Sequence, residues 1–239
     1  MNNCKNCNEP VNGKYCSDCG LPLQLKRVDA HYIVHEIEHV LHFEKGIFYT
    51  IKELLIAPGQ SIQQFITENR NRLVKPIFFV IVTSLIYTLI NHFFHIEKGY
   101  VEVESSQINS TANHINQWVQ EHYGYANLIM GLFIAVWIKL FFRKFDYNFF
   151  EILILLCFIM GMGMLIFTIF AIIQGITHFN LMAVAGVIGI IYCTWAIGQF
   201  FGKKPIDYFK AFAAYILGMI CFSVAIMAIG NGIDLFIKR

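Results

Sequence analysis

The chain has 239 residues, of which 56% are hydrophobic and 14% charged, and its formal net charge is +2. Soluble globular chains carry about 25% charged residues, so this composition excludes an ordinary soluble domain and points to a polytopic membrane protein. The few charges are scattered rather than gathered into a basic stripe, which leaves no footprint for nucleic acid.

Residues 1–25 carry Cys4-x-x-Cys7 and Cys16-x-x-Cys19-Gly20, separated by eight residues. Two such pairs supply four thiolates, enough for one tetrahedral zinc site, and a segment this short has no other means of building a core. The set Cys4, Cys7, Cys16 and Cys19 is therefore expected to hold one structural Zn2+. Such a site is closed to water and serves folding, so no catalytic residue is assigned there. Disulfides are the competing reading, weakened if this end faces a reducing compartment. The run Cys4-Lys5-Asn6-Cys7, followed by Gly13-Lys14-Tyr15-Cys16-Ser17-Asp18-Cys19-Gly20, resembles the short zinc ribbon at the head of many bacterial membrane proteins.

Residues 26–75 read as cytoplasmic amphipathic helices. Over 29–43, Ile33, Ile37, Val40 and Leu41 share one stripe, and His31, His35, Glu38 and His42 share the opposite one. Inside this stretch, His35-Glu36-Ile37-Glu38-His39 satisfies the H-E-x-x-H spacing of a zinc metalloprotease, with His35 and His39 as ligands and Glu36 as base. No third ligand follows at a recognisable spacing, so a polar face turned to solvent or to a partner is the preferred reading. A second short apolar helix then runs to a Pro58-Gly59 stop. Ser61 is expected to open the next helix, with Gln64 as its capping-box partner. Ile62, Phe65, Ile66 and Leu73 line one side of that helix. It is expected either to lie in the headgroup plane or to pack on the cytoplasmic ends of the spans.

Across 46–84, the residues Thr50, Glu53-Leu54-Leu55, Pro58-Gly59, Ile62, Arg70, Arg72, Lys75-Pro76 and Phe78-Phe79 stand at definite spacings. With the cysteine pairs, this pattern resembles a family of bacterial integral membrane proteins carrying an N-terminal zinc ribbon. The resemblance implies an inner-membrane location and several spans, and it implies no biochemical activity.

Residues 76–239 read as a transmembrane bundle. Apolar runs at 77–94, 126–142, 152–173, 181–201 and 209–236 are each long enough to approach the roughly 20 residues a bilayer requires. Five spans are expected, or four if the second run is broken or re-entrant. A polar, acidic loop at 96–124, with one helix near 111–122, is expected outside the membrane. Arg70, Arg72 and Lys75 precede the first run, Arg143 and Lys144 follow the second, and Lys203 and Lys204 follow the fourth. With five spans these clusters share one side, which the positive-inside rule makes cytoplasmic, together with the N-terminus. No secretory signal peptide is read, since sustained apolarity begins only near residue 77.

Ionisable residues stay near the run ends: Lys139, Glu151, Asp234, His92 and His95. Cys157, Cys193 and Cys221 read as small packing residues. Ala185-x-x-x-Gly189-x-x-x-Cys193 and Ala214-x-x-x-Gly218 give small faces for tight packing within the bundle, or for a homo-oligomer contact. The expected fold class is thus an all-α polytopic membrane protein of about five transmembrane helices, with a small N-terminal zinc ribbon and cytoplasmic amphipathic helices. The expected function is a non-enzymatic scaffold or adaptor whose partners are the lipid bilayer and a protein at the cytoplasmic N-terminal region. The alternatives are a small-molecule or lipid transporter, and a membrane-associated zinc metalloprotease using His35, Glu36 and His39.

Overall fold

The computed structural model describes residues 2–7, 9–11, 13–22, 46–94, 111, 115, 118, 119 and 123–237. The histidine-rich segment with His35-Glu36-Ile37-Glu38-His39 and most of the 96–124 loop lie outside the described residues. Among the described residues, strands β1 (Asn2–Asn3) and β2 (Pro10–Val11) precede seven helices. Two are short, α1 (Ile47–Ile56) and α2 (Pro58–Thr67). Five are long: α3 (Pro76–Phe94), α4 (Tyr123–Phe141), α5 (Phe149–Thr177), α6 (Met182–Phe201) and α7 (Pro205–Ile237).

Each expected apolar run becomes one long helix, and local chemistry sets its ends. Asn148 and Glu151 form a reciprocal capping box, so α5 begins at Phe149, three residues before the apolar run. His178, in the left-handed region at φ 60°, closes its other end. Pro205 opens α7, and the Asp207 carboxylate accepts from the Lys204 N–H at 3.2 Å. Four of the described helices are long and apolar enough to cross a membrane: Pro76–Phe94, Phe149–Thr177, Met182–Phe201 and Pro205–Leu235. The stretch Tyr125–Phe141 is apolar but shorter.

Helix α5 is the axis of the bundle. Ile152, Ile154, Leu155, Leu156 and Phe158 are all buried, so neighbours cover it on nearly every side, as its uniformly apolar sequence requires. It runs parallel to α3 at a steady offset of about 80 residues: Phe79 meets Phe158, Tyr87 meets Phe167, and Phe94 covers Gly175. At this offset α5 begins about two turns before α3 does. Helix α4 packs along α7, where a Cβ on Gly218 would stand 2.6 Å from Ile134 Cα, and Trp137 donates its indole N–H to Cys221 at 3.4 Å. The small residues of α6 and α7 thus serve packing inside the bundle, with Ala185, Cys193 and Ala214 buried. Buried hydroxyls bond within their own helix, Thr83 to the Phe79 carbonyl at 2.8 Å and Thr168 to that of Met164 at 2.7 Å. Outward faces are apolar instead: Leu85 and Leu89 on α3, Val187 and Ile191 on α6, Val224 and Met227 on α7 are exposed. Faces of this kind belong against hydrocarbon.

The helical hairpin α1–α2 corrects two sequence expectations. α1 does end just before Pro58, but Pro58-Gly59 is not a free turn: it forms the first turn of α2, with Ala57 as N-cap, because proline is best accommodated where its missing N–H has no intrahelical partner. Ser61 consequently lies inside α2 and makes no capping box with Gln64; its hydroxyl reaches back to Glu53 of α1 at 3.3 Å. Between its two proposed settings, the hairpin takes the packed one. Ile62, Phe65 and Ile66 are buried, and the Phe65 ring meets Phe158 edge-on at 5.3 Å.

Hydrogen bonds fix which end of the bundle holds the hairpin. Gly59 N–H donates to Gln199 at 2.8 Å, Gln63 donates to the Tyr147 hydroxyl at 3.0 Å, and the Tyr192 hydroxyl donates to the Leu54 carbonyl at 2.9 Å. Arg70, Arg72, Lys75, Arg143, Lys144, Lys203 and Lys204 therefore gather at this end, in the segments joining α2–α3, α4–α5 and α6–α7. At the opposite end Thr111 donates its backbone N–H to the Asp234 carboxylate at 3.1 Å, tying the polar loop to the last turns of α7.

Candidate metal centre

Two backbone turns of the same design carry the four cysteines. The Cys4 N–H donates to the Glu9 carbonyl and the Cys16 N–H to the Leu21 carbonyl, each at 2.8 Å, so each Cys-x-x-Cys pair folds over one turn. Gly20 completes the second turn at φ +70°, a conformation that favours a residue without Cβ. β1 and β2 clasp the first turn, and a bridge between Tyr15 and Pro22 clasps the second. Cys4 and Cys16 are buried, with Val11 and Leu21 supplying the only large apolar cover the cluster has among the described residues.

The sulfurs converge. Cys4 and Cys19 stand 3.5 Å apart, Cys7 and Cys16 3.4 Å, Cys7 and Cys19 3.6 Å, and all four ligand atoms lie within 4.8 Å of one another. A tetrahedron with metal–sulfur bonds of about 2.3 Å has sulfur–sulfur edges of about 3.8 Å, so four soft donors are set close to the spacing a metal ion needs. Their protons are shared unequally. The Leu21 backbone hydrogen bond, and then the Asn6 side chain, hold the Cys19 thiol down at about 6. The Glu9 backbone hydrogen bond also lowers Cys7, but partial burial and the surrounding sulfurs of Cys16, Cys19 and Cys4 outweigh it and push that thiol up to about 12.

Asn6 has a second task, which the sequence did not reveal. Its Oδ1 accepts from Asn69 Nδ2 at 2.8 Å, while Lys5 pairs with Glu68 at 3.5 Å, so the cysteine turns sit on the segment that follows α2. Between them lies a cavity of about 430 Å³ reached by Lys5, Tyr49, Gln64, Glu68 and Arg72. Arg72 holds the hairpin together from there, donating to Glu53 of α1 and to Gln64 of α2. Burial lowers its guanidinium, but the hydrogen bonds to Glu53 and Tyr49 prevail and raise it above its ordinary value. Thr50 adds a buried tie, accepting from the Val74 N–H at 3.0 Å.

Other singled-out residues among those described lie apart from this cluster. Lys139 donates to the Tyr147 carbonyl at 2.6 Å, Glu151 caps α5, and Asp234 receives Thr111. Cys193 is buried in α6, whereas Cys157 and Cys221 are half-buried.

No curated protein matches the chain, and no solved structure matches it. Residues 44–88, which span the hairpin, Arg72 and most of α3, match a family described as a protein of unknown function, DUF3667.

Proposed function

We propose that this chain is a non-enzymatic membrane scaffold with a cytoplasmic docking head, built from a zinc-filled cysteine cluster seated on the α1–α2 hairpin. Cys4, Cys7, Cys16 and Cys19 are the ligands of one structural Zn2+. Four thiolates leave no open coordination position, so the metal holds residues 1–25 in shape and performs no reaction. The chain crosses the inner membrane five times with its N-terminus inside, which puts the gathered basic residues and the head in the cytoplasm. The observation that carries this reading is the pair of contacts Asn6–Asn69 and Lys5–Glu68, which join the cysteine cluster to a hairpin that is itself anchored on α5 and α6. A head fixed in this way presents one rigid surface to a partner.

The reading is tested on full-length protein purified from native membrane. It requires about one zinc per chain, lost in Cys7→Ser and Cys16→Ser, and a co-purifying protein set, scored by mass spectrometry, that is depleted in both variants while the span region stays folded. Full zinc occupancy after both substitutions, or an unchanged set of bound proteins, would overturn it.

A further inference from the structure

A cavity of about 210 Å³ lies within the bundle, among α4, α5, α6 and α7. Its α5 wall runs from Met160 to Phe167, which the α3–α5 offset sets beside residues 80–87, the middle of α3. The void is written into the sequence. Gly163 on α5 and Gly186 on α6 both line it, and a Cβ added at either would meet no atom within 4 Å. Voids of this size weaken a helical core unless something fills them.

One side chain marks what the filler carries. Asn127 of α4 is 5% exposed, lines the cavity, and its Nδ2 has no hydrogen-bond partner. An amide N–H buried among apolar side chains is costly without an acceptor, and lipid tails offer none. It calls for an acceptor oxygen. Apart from Tyr215 and Cys193, the rest of the lining is soft and apolar: Met130, Met160, Met164 and Met219 bring four thioethers from three helices, and Phe167 brings a ring. Thioether sulfur packs favourably against aromatic rings, and methionine adapts to irregular outlines. A cavity of about 150 Å³ with apolar walls accepts benzene, so this one has room for a substituted six-membered ring. A soft cation would also suit thioethers, but an unpaired N–H donor on a lining residue opposes positive charge.

We propose that this cavity binds a neutral, lipid-soluble ring compound bearing a carbonyl oxygen, of the quinone-headgroup class, with Asn127 Nδ2 donating to that oxygen and the thioethers and Phe167 packing the ring. The ligand enters from the bilayer, and its site is independent of the cysteine cluster.

The test uses full-length, metal-loaded protein in phosphatidylcholine nanodiscs. Decylubiquinone, a substituted benzoquinone with a ten-carbon tail, is titrated against decylbenzene, which keeps a six-membered carbon ring and the tail but carries no oxygen. Decylubiquinone is expected to bind saturably at one site and at least about tenfold more tightly than decylbenzene, the difference one buried hydrogen bond makes. Asn127→Leu should erase that preference without lowering the melting temperature. Gly163→Leu or Gly186→Leu, from opposite walls, should fill the void and abolish saturable binding of both compounds. Equal binding of the two compounds to the unmodified protein would assign the cavity to acyl chains and overturn the proposal. Absent saturation, or a preference retained in Asn127→Leu, would overturn it equally. The comparison of the two compounds needs no variant, so it decides the matter even if a leucine substitution prevents folding.

Discussion

Asn6 touches both halves of the head, hydrogen-bonding the Cys19 thiol and accepting from Asn69. Partners of this kind orient metal ligands, and their loss weakens metal binding by about 10–100-fold. Asn6→Ala is therefore expected to keep one zinc per chain but to release it to a chelator at least about tenfold more readily, measured by competition with a colorimetric zinc dye. Acid should act in the same direction. Metal binding expels the protons the thiols hold at neutral pH, Cys7 foremost, so apparent zinc affinity should rise with pH from 6 to 8 and protons should appear in unbuffered titrations. At Arg72, the guanidinium bonds to both Glu53 and Gln64, so Arg72→Ala and Glu53→Ala should each cost about 1.5–3 kcal/mol. The double variant should cost less than their sum, as measured by denaturation in detergent. At this scale the sequence disclosed the cysteines but not their supports. Cys-x-x-Cys is a local spacing, readable by itself, whereas Asn6 and Asn69 stand 63 residues apart and nothing local announces their meeting.

Among the described elements, hydropathy revealed each long helix, because apolar side chains without charge have only one economical conformation against lipid. The boundaries were harder, since caps compete with one another. Ser61 with Gln64 satisfies the capping-box pattern, yet Pro58 three residues earlier supplies a better first turn, and the helix starts there. Asn148 with Glu151 meets no such competitor and forms the box. Packing between elements was legible only as small-residue faces, not as particular contacts. Gly59 looked like turn punctuation, but its place is a close approach of α2 to α6, where a Cβ would stand 2.3 Å from the Phe200 nitrogen. Backbone cannot yield there as a flexible side chain would. Gly59→Ala is expected to destabilise by about 1–3 kcal/mol and lower the melting temperature, whereas Gly46→Ala, with nothing within 4 Å, should leave it unchanged.

For the whole molecule, one end of the bundle collects the hairpin, the cysteine cluster and the connections rich in lysine and arginine, and the other holds the Thr111–Asp234 tie. This polarity turns orientation into a single binary question. Cysteine-accessibility reporters at Lys144 and Lys203 are expected to be protected from an impermeant reagent in intact cells, and reporters at Ser106 and Thr177 to be labelled. Labelling at Lys144 would refute five crossings with the N-terminus inside. Charge distribution made the polarity readable from sequence, because basic residues recur at alternate connections. The intramembrane cavity was not readable, because Asn127, Gly163 and Gly186 come from three separate helices and only their packing makes a void.

The anchoring of the hairpin on α6 also sets a timetable. Gly59 waits for Gln199, 140 residues further along the chain. At about 5–20 residues per second, ribosomes take roughly 7–28 s to deliver that partner, and α5 arrives only part-way through the interval. Until α5 arrives, Phe65 lacks the Phe158 ring it packs against, and beyond α1 the nearest apolar shelter is the surface of the membrane into which α3 is already being inserted. The hairpin thus leads two lives, first as an interfacial amphipathic segment and later as a packed keystone, and nascent chains halted before α5 should crosslink through Phe65 to lipid.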